Sequence, residues 1–543
     1  MGTIKTIQGN IVDVVNRSIF SGKIEIENNK IKSITPCTVD EKHFILPGFV
    51  DAHIHIESSM LIPSEFARVA VIHGTTACVS DPHELANVMG IDGVKFMIDN
   101  GKKVPFRFYF GAPSCVPATG FETSGAVIDS TEIETLLKMP EIKYLAEMMN
   151  FPGVIYDDKE VMKKIALAHK YDKVIDGHAP GLSGDAAKKY VNAGITTDHE
   201  CFTIAEAEEK IAYGMKILIR EGSAAKNFEA LIPLIEKHPD QIMLCSDDKH
   251  PDDLIKGHIN LLVKRAIEKG YDLIDVLRTV SYNPVKHYKL DAGLLQTGDN
   301  ADFIIVDNLS DFNILETYID GNMVAGNGVS FIEKVAQAPV NVFNCDFITE
   351  KDIALTPETN TIKVIKAIDG QLITQAYTVQ AKINNNNVVS DTDKDILKIV
   401  VLQRYKKSKP AIAFINGFGL KKGAMASTIA HDSHNIIAVG VDDKDIVMAI
   451  NTLIKQKGGI AATYGQEISC LPLPFGGLMS ADDAFTVAQQ YELIDNAAKH
   501  YGSQLKAPFM TLAFMALLVI PELKLSDMGL FDGGKFAFTP LFV

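Results

Sequence analysis

The sequence has no Cys-x-x-Cys pair, and its seven cysteines are scattered and odd in number. This usage argues against a disulfide framework and indicates reduced thiols, which are typical of a cytoplasmic protein. The seven are Cys37, Cys78, Cys115, Cys201, Cys245, Cys345 and Cys470.

Long apolar segments are also missing. The N-terminal residues Met1–Lys5 do not lead into the apolar stretch that a secretion signal requires. The most apolar stretch near the end, Phe509–Ile520, is too short to span a bilayer, and we interpret it as a core helix. We therefore expect a cytoplasmic protein that has no membrane partner.

There is no excess of basic residues. The chain has 53 Lys and Arg against 68 Asp and Glu, which gives a formal net charge of −15. Because nucleic-acid-binding faces are basic, this charge argues against a nucleic-acid partner and fits a small neutral ligand or a carboxylate-rich site better. We expect a small-molecule substrate and a homo-oligomer.

The length of 543 residues is too great for one compact domain. Short alternating strand patterns occur at residues 3–36 and return at 293–331, which predicts a small β domain built from both flanks, residues 1–45 and 286–343. The middle region, 46–285, alternates apolar runs with helical patterns. Residues 344–543 have the strands, helices and glycines of a C-terminal α/β domain.

The middle region contains eight apolar runs. Strands that alternate with helices form parallel β-α units, and eight such units in this length predict an α/β fold, a (β/α)₈ barrel of the TIM type. Reactive groups in such barrels lie at the C-terminal ends of the strands, and most of these runs end on polar residues. The runs are Leu46–His55, Thr75–Pro82, Arg107–Ser114, Tyr144–Met149, Val174–Pro180, Ile195–Glu200, Lys216–Ser223 and Ile242–Asp248.

Histidines end three of these runs. His53 and His55 are two residues apart on a strand, so both imidazoles point to the same face. Two interpretations of this pair are open: metal ligands, or a strand-end pair whose hydrogen bonds are satisfied within the protein. His178 and His199 end the fifth and sixth runs.

Carboxylates end two further runs. Glu147 lies in so apolar a context that it must be paired or bind a metal, unless it is a surface glutamate on a wrongly assigned strand. Asp247 ends the eighth run, with Asp248 as the alternative if the register differs by one residue. Four imidazoles and two carboxylates suffice for two divalent cations, and these donors suit Mn, Fe or Zn rather than Mg or Ca.

Other histidines have less specific settings. We interpret His169, His238, His258 and His287 as surface residues of helices or loops, and His73 as the last residue of a helix. In the C-terminal region, His431 and His434 follow a glycine-rich stretch. They indicate either a tight polar loop or a lid or accessory metal site.

Several strings resemble the adenine deaminase family within the amidohydrolase superfamily. Generic amidohydrolases share the His-x-His pair and the aspartate of the eighth strand, but lack His-Ile-Glu-Ser-Ser-Met at 55–60 and Asp-Pro-His-Glu at 81–84. The resemblance covers the whole chain. Its strings are Pro47–Met60, Asp81–Val88, Gly177–Pro180, Asp198–Glu200, Gly529–Asp532 and Phe538–Phe542.

The resemblance implies a role for each candidate ligand. His53 and His55, completed by Asp247, would hold one metal, and His178 and His199 would hold the other. Glu147 occupies the position where many relatives use a carboxylated lysine, so it would lie between the metals as a ligand, a proton carrier or both. The metals would be Mn or Fe, with Zn as the alternative.

The implied reaction converts adenine and water to hypoxanthine and ammonia, in purine salvage. A metal-bound hydroxide attacks C6 and Asp247 takes its proton. Glu147, or the pair His83 and Glu84, protonates the ring or the leaving amine. For His83 and Glu84 the alternative interpretation is a helix start, with Glu84 in the first turn.

Three alternatives to this adenine deaminase reaction differ in how well the sequence fits them. Zinc deaminases that act on bases need Pro-Cys-x-x-Cys after His-x-Glu, and no such string follows His55–Glu57, which excludes that design. Hydrolysis of a cyclic amide or N-acyl substrate by the same metal site is the main alternative. A non-catalytic scaffold is disfavoured because all six candidate ligands are present.

Overall fold

The structure is a computed structural model that describes residues 4–223 and 225–543. Residues 1–3 lie outside the described residues. They include the first residue of the predicted strand pattern at 3–36 and the start of the N-terminal segment Met1–Lys5. The chain forms two compact units. The first unit contains the chain up to Pro82 together with Lys95–Ser114 and Asp129–Gln337, and the second contains His83–Val94, Cys115–Ile128 and Ala338–Val543. The division into three domains stays a prediction.

The first unit begins with four strands whose side chains alternate between core and solvent. In β2, Ile24 and Ile26 are buried while Lys23 and Glu25 pair on the other face. Strand β1 is antiparallel to β2 and parallel to β4. The strands are β1 (Lys5–Asp13), β2 (Ser18–Glu27), β3 (Lys30–Pro36) and β4 (Phe44–Pro47).

Eight parallel strands follow, one at each of the eight predicted runs, although β8 begins two residues before its run. Strands β5 to β9 form one sheet in chain order and β10 to β12 another, and all neighbours in both sheets are parallel. The strands are β5 (Phe49–Ile54), β6 (Thr75–Ser80), β7 (Arg107–Ala112), β8 (Ile142–Met148), β9 (Val174–Gly177), β10 (Thr197–Asp198), β11 (Lys216–Arg220) and β12 (Ile242–Cys245).

Helices separate most of these strands. A representative one, α6, begins where Asp158 accepts hydrogen bonds from two backbone N–H groups, and it buries Val161, Lys164, Ile165 and Ala168 on one face. The helices are α1 (Pro63–Ala70), α2 (His83–Met89), α3 (Ile91–Gly101), α4 (Ser130–Leu137), α5 (Phe151–Ile155), α6 (Lys159–Lys170), α7 (Gly184–Asn192), α8 (Ile204–Ala212), α9 (Phe228–Leu231), α10 (Leu234–Lys237), α11 (Pro251–Leu254), α12 (Ile259–Glu268), α13 (Leu273–Thr279) and α14 (Tyr282–His287).

After α14 the chain returns to the first four strands. Strand β13 is antiparallel to β4, so the two flanks of the parallel region share one eight-stranded sheet with the order β16-β15-β14-β13-β4-β1-β2-β3. Its core includes Ile11, Ile45, Phe303 and Tyr318. The returning strands are β13 (Phe303–Val306), β14 (Ile314–Ile319), β15 (Asn322–Gly326) and β16 (Val329–Ser330).

The second unit is built around a mixed eight-stranded sheet with the order β18-β17-β22-β21-β24-β23-β25-β26. The strands of the whole unit, including those outside this sheet, are β17 (Thr361–Lys366), β18 (Gln375–Gln380), β19 (Lys382–Asn384), β20 (Asn387–Val389), β21 (Leu397–Leu402), β22 (Ala411–Asn416), β23 (Ala424–Ser427), β24 (Ile436–Gly440), β25 (Gly459–Tyr464), β26 (Glu467–Pro472), β27 (Leu523–Ser526), β28 (Gly529–Asp532) and β29 (Ala537–Phe538). Strands β19 and β20 form a hairpin whose turn contains Asn385 and Asn386.

Three helices complete the second unit: α15 (Asp443–Gln456), α16 (Ala484–His500) and α17 (Pro508–Ala513). Helix α15 buries Ile446, Ile450 and Leu453 in the main core of this unit. Within the predicted core helix Phe509–Ile520, only the part up to Ala513 is α-helical, and a short 3₁₀ turn follows. Among the described residues, no helix has the length and apolarity needed to cross a membrane. All seven cysteines are described, and none forms a disulfide.

Candidate functional site

Strand β5 brings His53 and His55 together at its C-terminal end. Both imidazoles are buried, and their Nε2 atoms lie 3.2 Å apart. The Nδ1 of His55 contacts the backbone carbonyl oxygen of Asp81 at 3.2 Å. When Nδ1 donates to that carbonyl, the lone pair of Nε2 is directed toward His53, as in histidines that bind metals.

His178 and His199 form a second pair, at the ends of β9 and β10. The Nδ1 of His178 lies 3.3 Å from the Nε2 of His199. Burial alone would lower the pKa of His178, but the nearby carboxylates of Glu200 and Glu147 raise that pKa to about 9.

Glu147, near the end of β8, lies between the two pairs. Its Oε1 is 3.5 Å from the Nε2 of His55, and its Oε2 is 3.0 Å from His178 Nδ1 and 3.1 Å from His199 Nε2. Burial raises the pKa of a carboxyl group, but the surrounding imidazoles hold the pKa of Glu147 well below its usual range. One carboxylate therefore faces both histidine pairs, with one oxygen toward each.

Asp247, just after β12, faces the first pair. Its Oδ1 lies 3.6 Å from the Nε2 of His53 and 3.4 Å from that of His55. Asp248 lies elsewhere, where it accepts a hydrogen bond of 2.5 Å from the Ser58 hydroxyl. The structure thus brings six of the predicted site residues into one cluster at the strand ends, and Asp247 rather than Asp248 is the one that faces the histidines.

The donor atoms of this cluster fit divalent transition metals. His53, His55 and Asp247 have donor atoms within 4.8 Å of one another, and so do His53, Glu147 and His199. Imidazole nitrogens and carboxylate oxygens in this proportion suit Mn, Fe or Zn. The buried Nδ1 of His53 has no hydrogen-bond partner within the described part of the chain, which fits a cluster that is completed by further groups.

Arg220 is a buried site residue that the sequence did not indicate. It is the last residue of β11, and its guanidinium binds both Glu200 and Asp247. The next residue, Glu221, binds Arg265 instead. Side chains alternate along a strand, so these two consecutive residues point to opposite faces.

A second buried network supports the cluster. Asp51 accepts hydrogen bonds from the backbone N–H and the hydroxyl of Ser246, and lies 2.8 Å from the Nε2 of His258. On the other side of the ring, the Nδ1 of His258 lies 2.8 Å from the Thr75 hydroxyl. His258 is only 1% exposed, so its interpretation as a surface residue was wrong. The partners of its imidazole ring lie 12 or more positions away in the sequence, so no local pattern indicates them.

His83 and Glu84 begin α2, which belongs to the second unit. Within that unit they group with the histidines of the predicted polar loop. The Oε1 of Glu84 lies 2.7 Å from His431 Nδ1 and 3.3 Å from His83 Nε2, and its Oε2 contacts His434 Nε2. Burial raises the pKa of Glu84, but these three imidazoles hold it well below its usual range. Burial also lowers the pKa of His434 to about 4.

Comparisons with known proteins give two family matches. The amidohydrolase family matches residues 44–324, and the adenine deaminase C-terminal domain matches residues 371–537. Adenine deaminase of Sulfurovum sp. is 57% identical over 537 residues and aligns with 98% of each chain. Adenine deaminase of Methanosarcina mazei is 54% identical over 554 residues, which cover 99% of this chain and all of the relative. Among solved structures, a beta-aspartyl dipeptidase from Fervidobacterium islandicum aligns with 60% of this chain and 98% of its own at 16% identity and a TM-score of 0.46.

Proposed function

This chain belongs to the adenine deaminase family of the amidohydrolases, and we propose that its strand-end cluster hydrolyses adenine to hypoxanthine and ammonia. The family predicted from the sequence strings is confirmed by relatives that are about half identical over nearly the full length. The observation that carries the proposal for this site is the convergence of four buried or half-buried histidines with Glu147 and Asp247.

The proposed scaffold is a closed (β/α)₈ barrel. A parallel bridge between Ile54 and Asp247 links the end of β5 to the segment after β12, the first and last of the eight strands. A hydrogen bond from the Thr196 N–H to the Ile175 carbonyl oxygen links the chain before β10 to β9. Both links support closure, which would bring all strand ends to one face.

In the proposed site, His53, His55 and Asp247 would hold one divalent ion, His178 and His199 would hold the second, and Glu147 would be a ligand available to both. The proposed metal is Mn or Fe, with Zn as the alternative. Two such ions, when bound, lower the pKa of a shared water and polarise the substrate. The burial of the cluster's side chains strengthens these electrostatic effects.

The protein's own groups supply proton transfer. Overall, a C6–O bond forms, the C6–N bond breaks, and the amino group leaves as ammonia after gaining a proton. We assign the Oδ1 of Asp247 as the acceptor of the proton that the attacking water loses. Glu147, which is anionic at rest, is the proposed carrier that takes up a proton during the reaction and passes it to the ring or the leaving amine. His83 and Glu84 stay predicted candidates for that donor, on the family resemblance alone.

The purified protein is expected to contain about two transition-metal ions per chain, because the donor atoms form two sets of the kind found in binuclear sites. Elemental analysis of the protein as isolated and after reconstitution with Mn measures this. His53→Ala and His178→Ala should each lower the metal content, while His169→Ala, which changes an exposed residue, serves as the control. Full activity in protein without metal would contradict the proposal.

A substrate panel tests the proposed reaction itself. Ammonia release is measured with adenine, adenosine, cytosine and hydantoin at equal metal loading, and adenine is expected to be the preferred substrate. Preference for hydantoin would favour the cyclic amide hydrolase that the sequence left open. We further propose that the enzyme is cytoplasmic, serves purine salvage, and works as a homo-oligomer without nucleic-acid or membrane partners.

A further inference from the structure

We propose that Arg220 is a positioning residue of the deaminase site, which keeps Glu200 away from the metals and holds Asp247 by one oxygen. The inference rests on the proposed function and extends it to a residue outside the ligand set. It comes from the position of one buried guanidinium between two carboxylates, of which Asp247 is proposed to bind metal and Glu200 is not.

The geometry places Arg220 between two strand ends. Strand β11 lies between β10 and β12, so its last residue lies between the segment with His199 and Glu200 and the segment with Asp247. The Nη1 of Arg220 donates to Glu200 Oε1 at 2.5 Å and to Asp247 Oδ2 at 2.6 Å, and Nη2 donates to Glu200 Oε2 at 2.8 Å. Arg220 and Glu200 are each 4% exposed, and Asp247 is 2% exposed.

Glu200 would otherwise compete as a ligand. Its Oε1 lies 3.5 Å from His178 Nδ1 and 3.6 Å from His199 Nε2, and these three residues could together hold an ion. Arg220 binds both oxygens of Glu200 in the two-pronged geometry that matches a guanidinium to a carboxylate. The guanidinium thus balances the charge of Glu200 and occupies its oxygens.

Asp247 is held differently, by one oxygen only. Its Oδ2 accepts the hydrogen bond from Arg220, and its Oδ1 faces His53 and His55. This division fixes the side-chain orientation, so that a single oxygen is presented to the metal and to the attacking water.

The backbone around Arg220 is itself fixed. Its N–H donates to the Oδ1 of Asn227 at 2.8 Å, and the Nδ2 of Asn227 donates to the carbonyl oxygens of His199 and Cys201. The arginine is therefore tied to the same loop that positions His199. The backbone from which the guanidinium extends is therefore held in place next to that loop.

The test compares Arg220→Met, Arg220→Lys and the double variant Arg220→Met/Glu200→Gln with the wild type. Arg265→Met is the matched control, because Arg265 binds two other glutamates of the same unit, Glu221 and Glu229, outside the cluster. Three quantities are measured: metal affinity by competition with a chromogenic chelator, kcat and KM for adenine, and the melting temperature.

Arg220→Met should lower kcat by about 100-fold or more, the loss typical of a displaced proton acceptor, with a smaller change in KM. Its metal affinity should not fall, because the freed Glu200 adds an anionic donor. Adding Glu200→Gln should return metal affinity toward the wild-type value without restoring kcat, since Asp247 is still not held. Arg265→Met should keep the wild-type kcat and metal affinity.

Full recovery of kcat in the double variant would overturn the positioning role, because charge balance alone would then explain Arg220. Loss of metal from Arg220→Met in a folded protein would overturn the separation of Glu200 from the metals. If Arg220→Met does not fold, Arg220→Lys decides: it keeps the charge but lacks the two-pronged geometry, so wild-type kcat would contradict the inference. Failure of the proposed function would appear separately, as wild-type protein that does not deaminate adenine.

Discussion

Asp247→Asn is expected to abolish adenine deamination while the chain stays folded. The amide cannot take a proton from the attacking water, and loss of such a group lowers rates by about 10²–10⁴-fold. Arg220 makes the change more severe, because a guanidinium only donates hydrogen bonds and requires the amide oxygen at the Oδ2 position. The amide NH₂ is then directed at His53 and His55, where the wild type presents an oxygen.

The measurement is kcat for adenine at saturating Mn, together with metal content and melting temperature. Asp248→Asn is the matched control, since Asp248 is the neighbouring carboxylate but contacts Ser58 rather than the histidines. It should lose much less activity. Retention of more than about a tenth of the wild-type kcat by Asp247→Asn would argue against a proton-accepting role, given the losses expected for one. The reverse order of severity would assign that role to Asp248.

The second large effect concerns substrate choice. We expect kcat/KM for adenine to exceed that for adenosine by about 10⁴–10⁵, as in sites whose buried polar groups must be paired by the substrate. The segment after His55 is a buried turn in which Glu57, Ser58 and Ser59 are at most 6% exposed. So fully buried a segment next to the histidines favours a compact pocket that takes a small base, and a ribose at N9 would add bulk to it.

The comparison uses wild-type enzyme at one metal loading, with ammonia release followed for both compounds and for cytosine. N9-methyladenine is a useful intermediate probe, because it blocks the same nitrogen with far less volume than ribose. Equal kcat/KM values for adenine and adenosine would remove the assignment of the free base as substrate. Faster ammonia release from cytosine would leave only a metal-dependent amidohydrolase.

The parallel strands could be predicted because burial on both faces makes such strands continuous apolar runs. Each of the eight runs coincides with a strand, although β8 begins two residues before its run and the strands end up to three residues earlier than the runs. The polar endings were equally informative: His53, His55, Glu147 and Asp247 converge as the pattern indicates. No single run predicts that the strands close into a barrel, and this closure stays a proposal.

The residues that escaped prediction are those whose partners are distant in the sequence. Arg220 is indistinguishable from an ordinary strand-end arginine until Glu200 and Asp247 are seen on either side of it. The role of His258 is apparent only from its contact with Asp51, which lies 207 positions earlier. Glu84 and His431 are 347 positions apart, and their contact could not be anticipated from either local pattern. Contacts between such distant residues produce no periodic pattern in the sequence.

The sheet shared by the two flanks has a consequence for synthesis on the ribosome. Strand β4 is held between β1 and β13, so one of its edges has no partner until Phe303–Val306 has been translated. The whole parallel-strand region, β5 to β12, is translated during that interval, and β4 has an unpaired edge until the interval is complete. Open edges invite pairing with other chains, and contacts between distant parts of the sequence form slowly. We therefore expect the nascent chain to be most prone to aggregation just before Phe303–Val306 emerges.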